Sequence, residues 1–353
     1  MLNRKSILKL SDGTTFSGWQ FGAGCPAEGE VVFSTSMVGY PESLTDPSYQ
    51  GQILCVCYPL VGNYGIPEPQ FSPDGICLNF ESEDIHVRGL VISDYSQRYS
   101  HHDAVRSLSS WMESRGIPGI CGVDTRALTH LLREKSGMDA MILPEGSESC
   151  EKPGPHPVAQ VSCKSVLRYG SGHKRVVLVD CGVKHNILRC LVKRGIEVVR
   201  VPWDYDYTKL DYDGLFISNG PGDPRECGLT ISHLRKSLEE DRPVFGVCLG
   251  SQLMALAAGA STYRMPYGHR SHNQPVRMSG SRSCFITSQN HGYAVDTSSL
   301  PPGWEEAFVN LNDGTNEGIR HIRKPFMATQ FHPEASGGPV DTEFLFDEFF
   351  ARL

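Results

Sequence analysis

No run of about eighteen apolar residues occurs in the 353-residue sequence, so nothing in it reads as a membrane-spanning helix. The stretch Met1 to Leu10 lacks the long apolar core and small-residue cleavage site of a secretory signal, and a cytoplasmic location is expected. A basic excess is missing as well. Lys and Arg number 33 against 40 Asp and Glu, a net charge of -7, whereas nucleic acid or an anionic membrane as partner would demand the opposite balance. No glycine-rich phosphate loop ending in Gly-Lys-Ser or Gly-Lys-Thr is present. The 12 cysteines show no pairs with zinc-like spacing, so no metal site is expected, and in a reducing compartment most should be free and buried. The tightest pair, Cys55 and Cys57, sits in the apolar run Gln52 to Tyr58. Period two places both thiols on one face of a strand there, as small core residues.

What remains is an ordinary globular composition, 39% hydrophobic and 21% charged, in a length that suits two domains. Residues 1–150 mix short strand-like runs, such as Glu30 to Phe33 and Gly89 to Ile92, with turns rich in Gly, Pro and Asp. Apolar spacing predicts a helix from about Asp103 to Arg115, with Val105, Leu108, Trp111 and Met112 on one face. A second helix is expected after Asp124 as N-cap, burying Leu128, Leu131 and Leu132. Residues 151–174 have little periodicity and read as a linker.

From 175 to 353 the pattern changes. Arg175 to Asp180, Ile196 to Pro202, Gly214 to Ser218 and Pro243 to Val247 are apolar runs suited to buried parallel strands. Helical patterns at Lys184 to Arg194, Glu226 to Glu240 and Gln252 to Ala258 alternate with them. This order calls for a parallel sheet covered on both faces, with ligands beyond the carboxyl ends of its strands. The informative loops should follow Ser218 and Val247.

Gly246-Val247-Cys248-Leu249-Gly250 joins such a strand to a helix, a nucleophile elbow with Cys in place of Ser. A Cβ at either glycine of the motif would collide with the adjoining strand or helix. The bend sets the sulfur at a helix N-terminus, which favours a thiolate, and aims the Leu249 N–H at a carbonyl under attack. The plainer alternative is a buried cysteine at a strand end. A thiolate needs a proton shuttle, and His332 is the candidate. In the extended segment Gln330-Phe331-His332-Pro333-Glu334, residues two apart share a face, so Glu334 can orient the imidazole and complete a Cys-His-Glu triad.

Residues 243–252 and 330–335 resemble class I, triad-type glutamine amidotransferases. Phe33 to Tyr40, Leu44 to Tyr49, Gly62 to Gly65, Val123 to Arg126 and Leu131 to Lys135 narrow the likeness to the small chain of carbamoyl-phosphate synthase, in order along nearly the whole chain. The resemblance implies a C-terminal flavodoxin-like doubly wound parallel sheet and an N-terminal mixed α/β domain. It implies hydrolysis of L-glutamine, with ammonia passed to a large chain that carries ATP and Mg and makes carbamoyl phosphate; no cofactor is expected on this chain. The likeness assigns Cys248 as nucleophile, His332 as acid/base and Glu334 as its partner. It also implies glutamine contacts from Ser48, Gly220, Gly222, Leu249, Gln252, Asn290, Gly292 and Tyr293, with Gly220 giving a second oxyanion N–H. Ser251 stands where relatives often have His or Asn. Some relatives have lost the cysteine and use free ammonia; this chain keeps it. Outside the resemblance, Asn290-His291-Gly292 reads as a tight turn, and His269 to Asn273, polar enough for a ligand, reads as a solvated loop or partner contact ahead of a metal site. Another amidotransferase subunit, a free-standing γ-glutamyl hydrolase and a non-catalytic regulatory subunit stay open as alternatives.

Overall fold

The computed structural model describes residues 4–353 except 136, 148, 150 and 151. The chain forms two compact units: Met1–Gln70 with Cys77–Pro155, and Phe71–Ile76 with His156–Leu353.

The first unit contains β1 (Lys5–Leu10), β2 (Thr15–Gly22), β3 (Ala27–Ser34), α1 (Tyr40–Thr45), β4 (Gln52–Val56), β5 (Ile66–Pro67), β6 (Gly89–Ile92), β7 (Ala104–Arg106), α2 (Leu108–Ser114), β8 (Pro118–Cys121), α3 (Thr125–Lys135) and β9 (Met138–Pro144). The mixed α/β domain expected here takes the form of a closed barrel, in the order β1-β2-β8-β6-β4-β3-β9. Strand periodicity divides its apolar residues. Ile53 and Cys55 join a cluster with Leu8, Val31, Val91, Ile120 and Ile142, which α3 covers with Leu128 and Leu132. Their neighbours Leu54 and Val56 face the other way and pack with Leu44 of α1 and Trp111 and Met112 of α2. Asp124 accepts a hydrogen bond from the Ala127 N–H at 2.9 Å, at the start of α3.

The helix expected from Asp103 starts later. Ala104–Arg106 pairs with β5 instead, and Val105 is 53% exposed. Ser107 decides the boundary: its Oγ accepts from the Ser110 N–H at 3.1 Å and caps α2. Cys55 is buried as expected, whereas Cys57 lies just beyond β4, half-buried, with its sulfur 3.1 Å from Thr129 Oγ1.

The second unit contains α4 (Pro157–Val161), β10 (Leu167–Tyr169), β11 (Lys174–Asp180), α5 (His185–Val192), β12 (Ile196–Pro202), β13 (Gly214–Ile217), α6 (Gly228–Ser237), β14 (Val244–Val247), α7 (Leu249–Ala258), β15 (Thr262–Met278), β16 (Cys284–Val295), β17 (Trp304–Asn310), β18 (Asn316–His321), β19 (Phe326–Thr329) and α8 (Phe344–Phe350). Its sheet runs β10-β12-β11-β13-β14-β19-β18-β17-β15-β16. The five strands from β12 to β19 are mutually parallel, and β18, β17, β15 and β16 extend the sheet antiparallel. Both faces are covered. Val177 and Val179 pack with Leu234 of α6 and Leu253 of α7. Val176 and Leu178 pack with Ile187 of α5 and Phe346 of α8.

Two expectations change here. The segment read as a linker carries α4 and β10, and β10 pairs antiparallel with β12 at the sheet edge. The long ribbon β15–β16 had no counterpart in the sequence reading. Its burial along Thr262–Met278 is irregular and two register shifts interrupt its pairing, so neither strand shows clean alternation.

Phe346 is fully buried against Phe216 and Phe245, with ring centroids 5.8 and 6.2 Å away. Phe346→Ala is therefore expected to lower the unfolding free energy by about 3–5 kcal/mol in urea titrations. A loss below about 1 kcal/mol would mean that α8 is not an integral layer of this unit.

Candidate active site

The sharp connection from β14 into α7 positions Cys248 with φ 54° and ψ -103°, a conformation that L residues rarely adopt. Close packing over-determines it. A Cβ on Gly250 would lie 2.2 Å from the Ile217 carbonyl oxygen, and one on Gly246 would lie 2.7 Å from the Gly250 carbonyl. The Cys248 N–H donates to the Thr329 carbonyl of β19 at 2.8 Å, and its own carbonyl accepts from Ser251 N at 3.0 Å. The neighbouring strand thus holds the elbow in place. As the first residue of α7, Leu249 has an N–H without an intrahelical acceptor, available to a developing oxyanion.

The sulfur is more enclosed than the elbow pattern suggests. Cys248 is only 2% exposed, with Sγ 3.6 Å from the Asn290 carbonyl and 3.6 Å from Gln330 Nε2. Gln330 is a contact that the sequence reading missed. It links onward, because Gln252 Nε2 donates both to Gln330 Oε1 at 3.0 Å and to the Tyr293 carbonyl at 2.9 Å. Gln252, expected to touch substrate, is thereby also a brace between α7 and β16.

His332 follows β19 and bridges to Ser288, whose carbonyl accepts the His332 N–H at 2.9 Å. Its Nδ1 lies 2.7 Å from Glu334 Oε1. A carboxylate can only accept, so Nδ1 carries the hydrogen and the neutral ring keeps its lone pair on Nε2. Among the described residues Nε2 has no hydrogen-bond partner, yet Cys248 lies close enough to act on the ring's charge. Burial works against a charged ring here, but Glu334 outweighs it and raises the His332 pKa, with Lys184 opposing and Cys248 assisting.

Glu334 is buried without being isolated. Lys184 Nζ donates to its Oε1 at 3.0 Å and to the Ala335 carbonyl at 2.7 Å, and Asn186 Nδ2 donates to the Glu334 carbonyl. Burial pushes the Glu334 pKa up, and Lys184 and His332 more than reverse it, so the net shift is down. Lys184 stands 150 positions away in sequence at the N-terminal edge of α5, and nothing in its local pattern signalled this role.

The loop after β13 brings Gly220 beside α7: a Cβ on Gly220 would lie 2.8 Å from Leu249 Cδ2 and 2.1 Å from the Cys181 carbonyl oxygen. Gly222 follows with φ 86° against Pro157. Tyr293 faces the same loop; burial raises its phenol pKa, and the Asp223 charge adds to the shift. The segment Asn290-His291-Gly292 is not a turn between strands. Asn290, Gly292 and Tyr293 lie inside β16, paired with β15, with Asn290 opposite Arg270 and Tyr293 opposite Arg264. Nor is His269 to Asn273 a solvated loop: it is part of β15, and His269 and Ser271 are buried. Ser48 belongs to the first unit, in the turn Pro47–Tyr49, where its N–H donates to Asp46 Oδ1 at 2.9 Å.

The two pKa shifts give opposite pH dependences. The raised His332 contributes stability that is full below its ordinary value of 6.5 and is lost as pH rises through its folded value. The depressed Glu334 contributes stability that is present above 4.5 and is lost as pH falls through its folded value. The stability gap between the protein and Glu334→Gln should thus be widest between pH 4.5 and 6.5 and narrow on both sides, as measured by urea unfolding across pH. A gap independent of pH would remove the ion pair from this account.

Comparison with known proteins falls into the same two parts. Residues 8–142 match the family model for the carbamoyl-phosphate synthase small chain, CPSase domain, and residues 177–352 match that for class-I glutamine amidotransferases. The arginine-specific carbamoyl phosphate synthase small chain of Debaryomyces hansenii is 46% identical, over 99% of this chain and 85% of its own length. The multifunctional protein pyr-3 of Neurospora crassa is 47% identical over 98% of this chain, and the mitochondrial carbamoyl-phosphate synthase [ammonia] of Aquarana catesbeiana is 47% identical over 98%. This chain spans 21% and 24% of the length of those two proteins. With both halves matched in order, and with a separate small chain alike over nearly its whole length, the protein belongs to the family of carbamoyl-phosphate synthase small chains that carry a class-I glutamine amidotransferase domain.

Proposed function

We propose that this chain hydrolyses L-glutamine and supplies the ammonia to a carbamoyl-phosphate synthase large chain. The observation that carries the reading is the strained Cys248 beside an imidazole whose far nitrogen is fixed by buried Glu334. The Cys248 sulfur attacks the δ-carbon of glutamine while His332 Nε2 takes the thiol proton. The N–H groups of Leu249 and Gly220 bind the oxyanion, each worth about 3 kcal/mol. His332 then protonates the leaving ammonia, and a γ-glutamyl thioester remains on Cys248. A water that gives its proton to His332 opens the thioester, and glutamate departs with the Cys248 thiol restored.

The pKa shift suits this cycle, because a ring held basic by Glu334 accepts a proton at each attack and returns it to each leaving group. Enclosure of the sulfur suits it too, since ammonia released away from bulk water stays unprotonated. ATP, Mg and bicarbonate chemistry belongs to the large chain, where the ammonia becomes carbamoyl phosphate for arginine and pyrimidine synthesis. A reducing compartment such as the cytoplasm fits the cysteines, all free among the described residues. Among the described residues no helix is long and apolar enough to cross a membrane.

One relative is named for ammonia, which makes a chain without glutaminase activity the competing reading. The triad geometry favours glutamine. The test uses the chain with a co-purified large subunit. Cys248→Ser should lower glutamine-dependent carbamoyl phosphate formation by about 10³-fold or more. It should leave ammonia-dependent formation intact and abolish labelling by a glutamine-like electrophile. Equal glutamine-dependent rates in the variant would overturn the proposal, and absence of any co-purifying ATP-using chain would overturn the synthase part alone.

A further inference from the structure

Behind the strand that presents Asn290 and Tyr293 lies a buried group the proposed mechanism does not use: His269 of β15, His291 of β16 and Glu317 of β18. Their hydrogen bonds leave a deficit of positive charge that can be followed atom by atom. Thr287 Oγ1 donates to the Gln274 carbonyl at 3.0 Å, so the same oxygen is an acceptor for Gln289 Nε2 at 3.1 Å. In this orientation of the Gln289 amide its Oε1 faces His291 Nε2, at 3.2 Å. His291 Nδ1 lies 2.9 Å from the Tyr293 carbonyl, which only accepts, so Nδ1 carries the hydrogen. In the neutral ring Nε2 is therefore a lone pair, and it faces two further acceptors: Gln289 Oε1, and Glu317 Oε1 at 3.8 Å.

His269 repeats the pattern. Its Nε2 lies 2.8 Å from Asp313 Oδ2, which again requires the hydrogen on that nitrogen. Its Nδ1 then faces Glu317 Oε1 at 3.1 Å. Asn310 Nδ2 donates to Glu317 Oε1 at 3.2 Å and reaches His269 Nδ1 only at 3.5 Å. Glu317 is fully buried, and its second oxygen, Oε2, has no hydrogen-bond partner among the described residues. Two imidazole lone pairs, an amide oxygen and a half-satisfied carboxylate thus lie together away from water, with the Asn310 amide as the donor beside them.

We propose that this cluster is a binding site for one divalent transition-metal ion of the zinc type, held by His269 Nδ1, His291 Nε2 and Glu317, with Gln289 Oε1 as the fourth oxygen or nitrogen donor. The geometry fits such an ion. Ligand bonds of about 2.0–2.2 Å in a tetrahedron put donor atoms about 3.3–3.5 Å apart and the two ring centres about 5 Å apart. The separations from Glu317 Oε1 are 3.1 and 3.8 Å, and the ring centroids lie 4.9 Å apart at 88°. Each histidine has its remote N–H tied to a carboxylate or a backbone carbonyl, as metal-ligating histidines do. Glu317 and Asp313 balance the two charges of the ion. Four protein donors leave no open position, so the ion would be structural: it ties β15, β16 and β18 together behind the proposed glutamine contacts.

The rival that supplies the same charge is a proton on each ring. Metal content of the full chain, produced with added Zn²⁺ and analysed by mass spectrometry, separates the two. About one Zn²⁺ per chain is expected in the protein and in Cys248→Ser, and less than about a tenth as much in Glu317→Gln. A chain that holds no zinc overturns the site, and so does zinc lost with Cys248→Ser, which would place the ion at the sulfur. Should Glu317→Gln fail to fold, refolding the unaltered chain with Co²⁺ decides. Tetrahedral ligand-field bands without a sulfur charge-transfer band support the site, and absence of bound Co²⁺ overturns it.

Discussion

The close approach of α7 to β13 is the constraint on which the rest of the candidate site depends. Gly250 sits so near the Ile217 carbonyl that no side chain fits between them, and this contact leaves Cys248 no room to relax into an ordinary helical start. Strain of this kind survives only where the surroundings over-determine it. Here the parallel pairing of β14 with β13 and β19 does so, because a buried three-strand core cannot shift to relieve one residue. From that fixed point the other site residues acquire their geometry. The Leu249 N–H is aimed by the helix start, and Thr329 and then His332 are delivered by the neighbouring strand.

The second requirement is electrostatic. A carboxylate buried as deeply as Glu334 would ordinarily take up a proton. It stays charged because two N–H donors from different elements meet on one of its oxygens, Lys184 from the edge of α5 and His332 from the segment after β19. Such an arrangement contributes little net stability compared with a well-packed apolar alternative. Its value is in fixing the tautomer of His332 and raising its basicity. The lysine and the histidine also compete, so Lys184 moderates the effect that Glu334 has on the ring.

A third layer is the antiparallel extension of the sheet. The parallel strands supply the nucleophile and its proton shuttle, while β16 supplies the wall opposite, with the Asn290 carbonyl against the sulfur and Tyr293 against the Asp223 loop. His291 reaches instead into the buried group, with its ring edge-on to that of His269 and its Nδ1 against the Tyr293 carbonyl. One strand therefore serves two environments, with Asn290 against the thiol and His291 in the polar cluster.

Local pattern carried a good part of this. The strand and helix order of residues 175–258, the elbow around Cys248, the pairing of His332 with Glu334 two positions on, and the capped helix after Asp124 all follow from periodicity, glycine placement and side-chain reach over a few residues. Lys184 and Gln330 could not be read that way, because their partners come from other elements of the fold and a lysine or glutamine has no local signature of burial. The ribbon β15–β16 was hidden by its bulges and polar composition, which erase the alternation that marks a strand. For the same reason Asn290-His291-Gly292 resembles a turn and His269 a solvated residue. Short-range sequence determined which groups this chain has for chemistry and how the nearest of them are oriented. Tertiary structure alone decided which distant side chains are buried against one another, because burial is set by the neighbours the fold brings into contact and not by the residue's own chemistry.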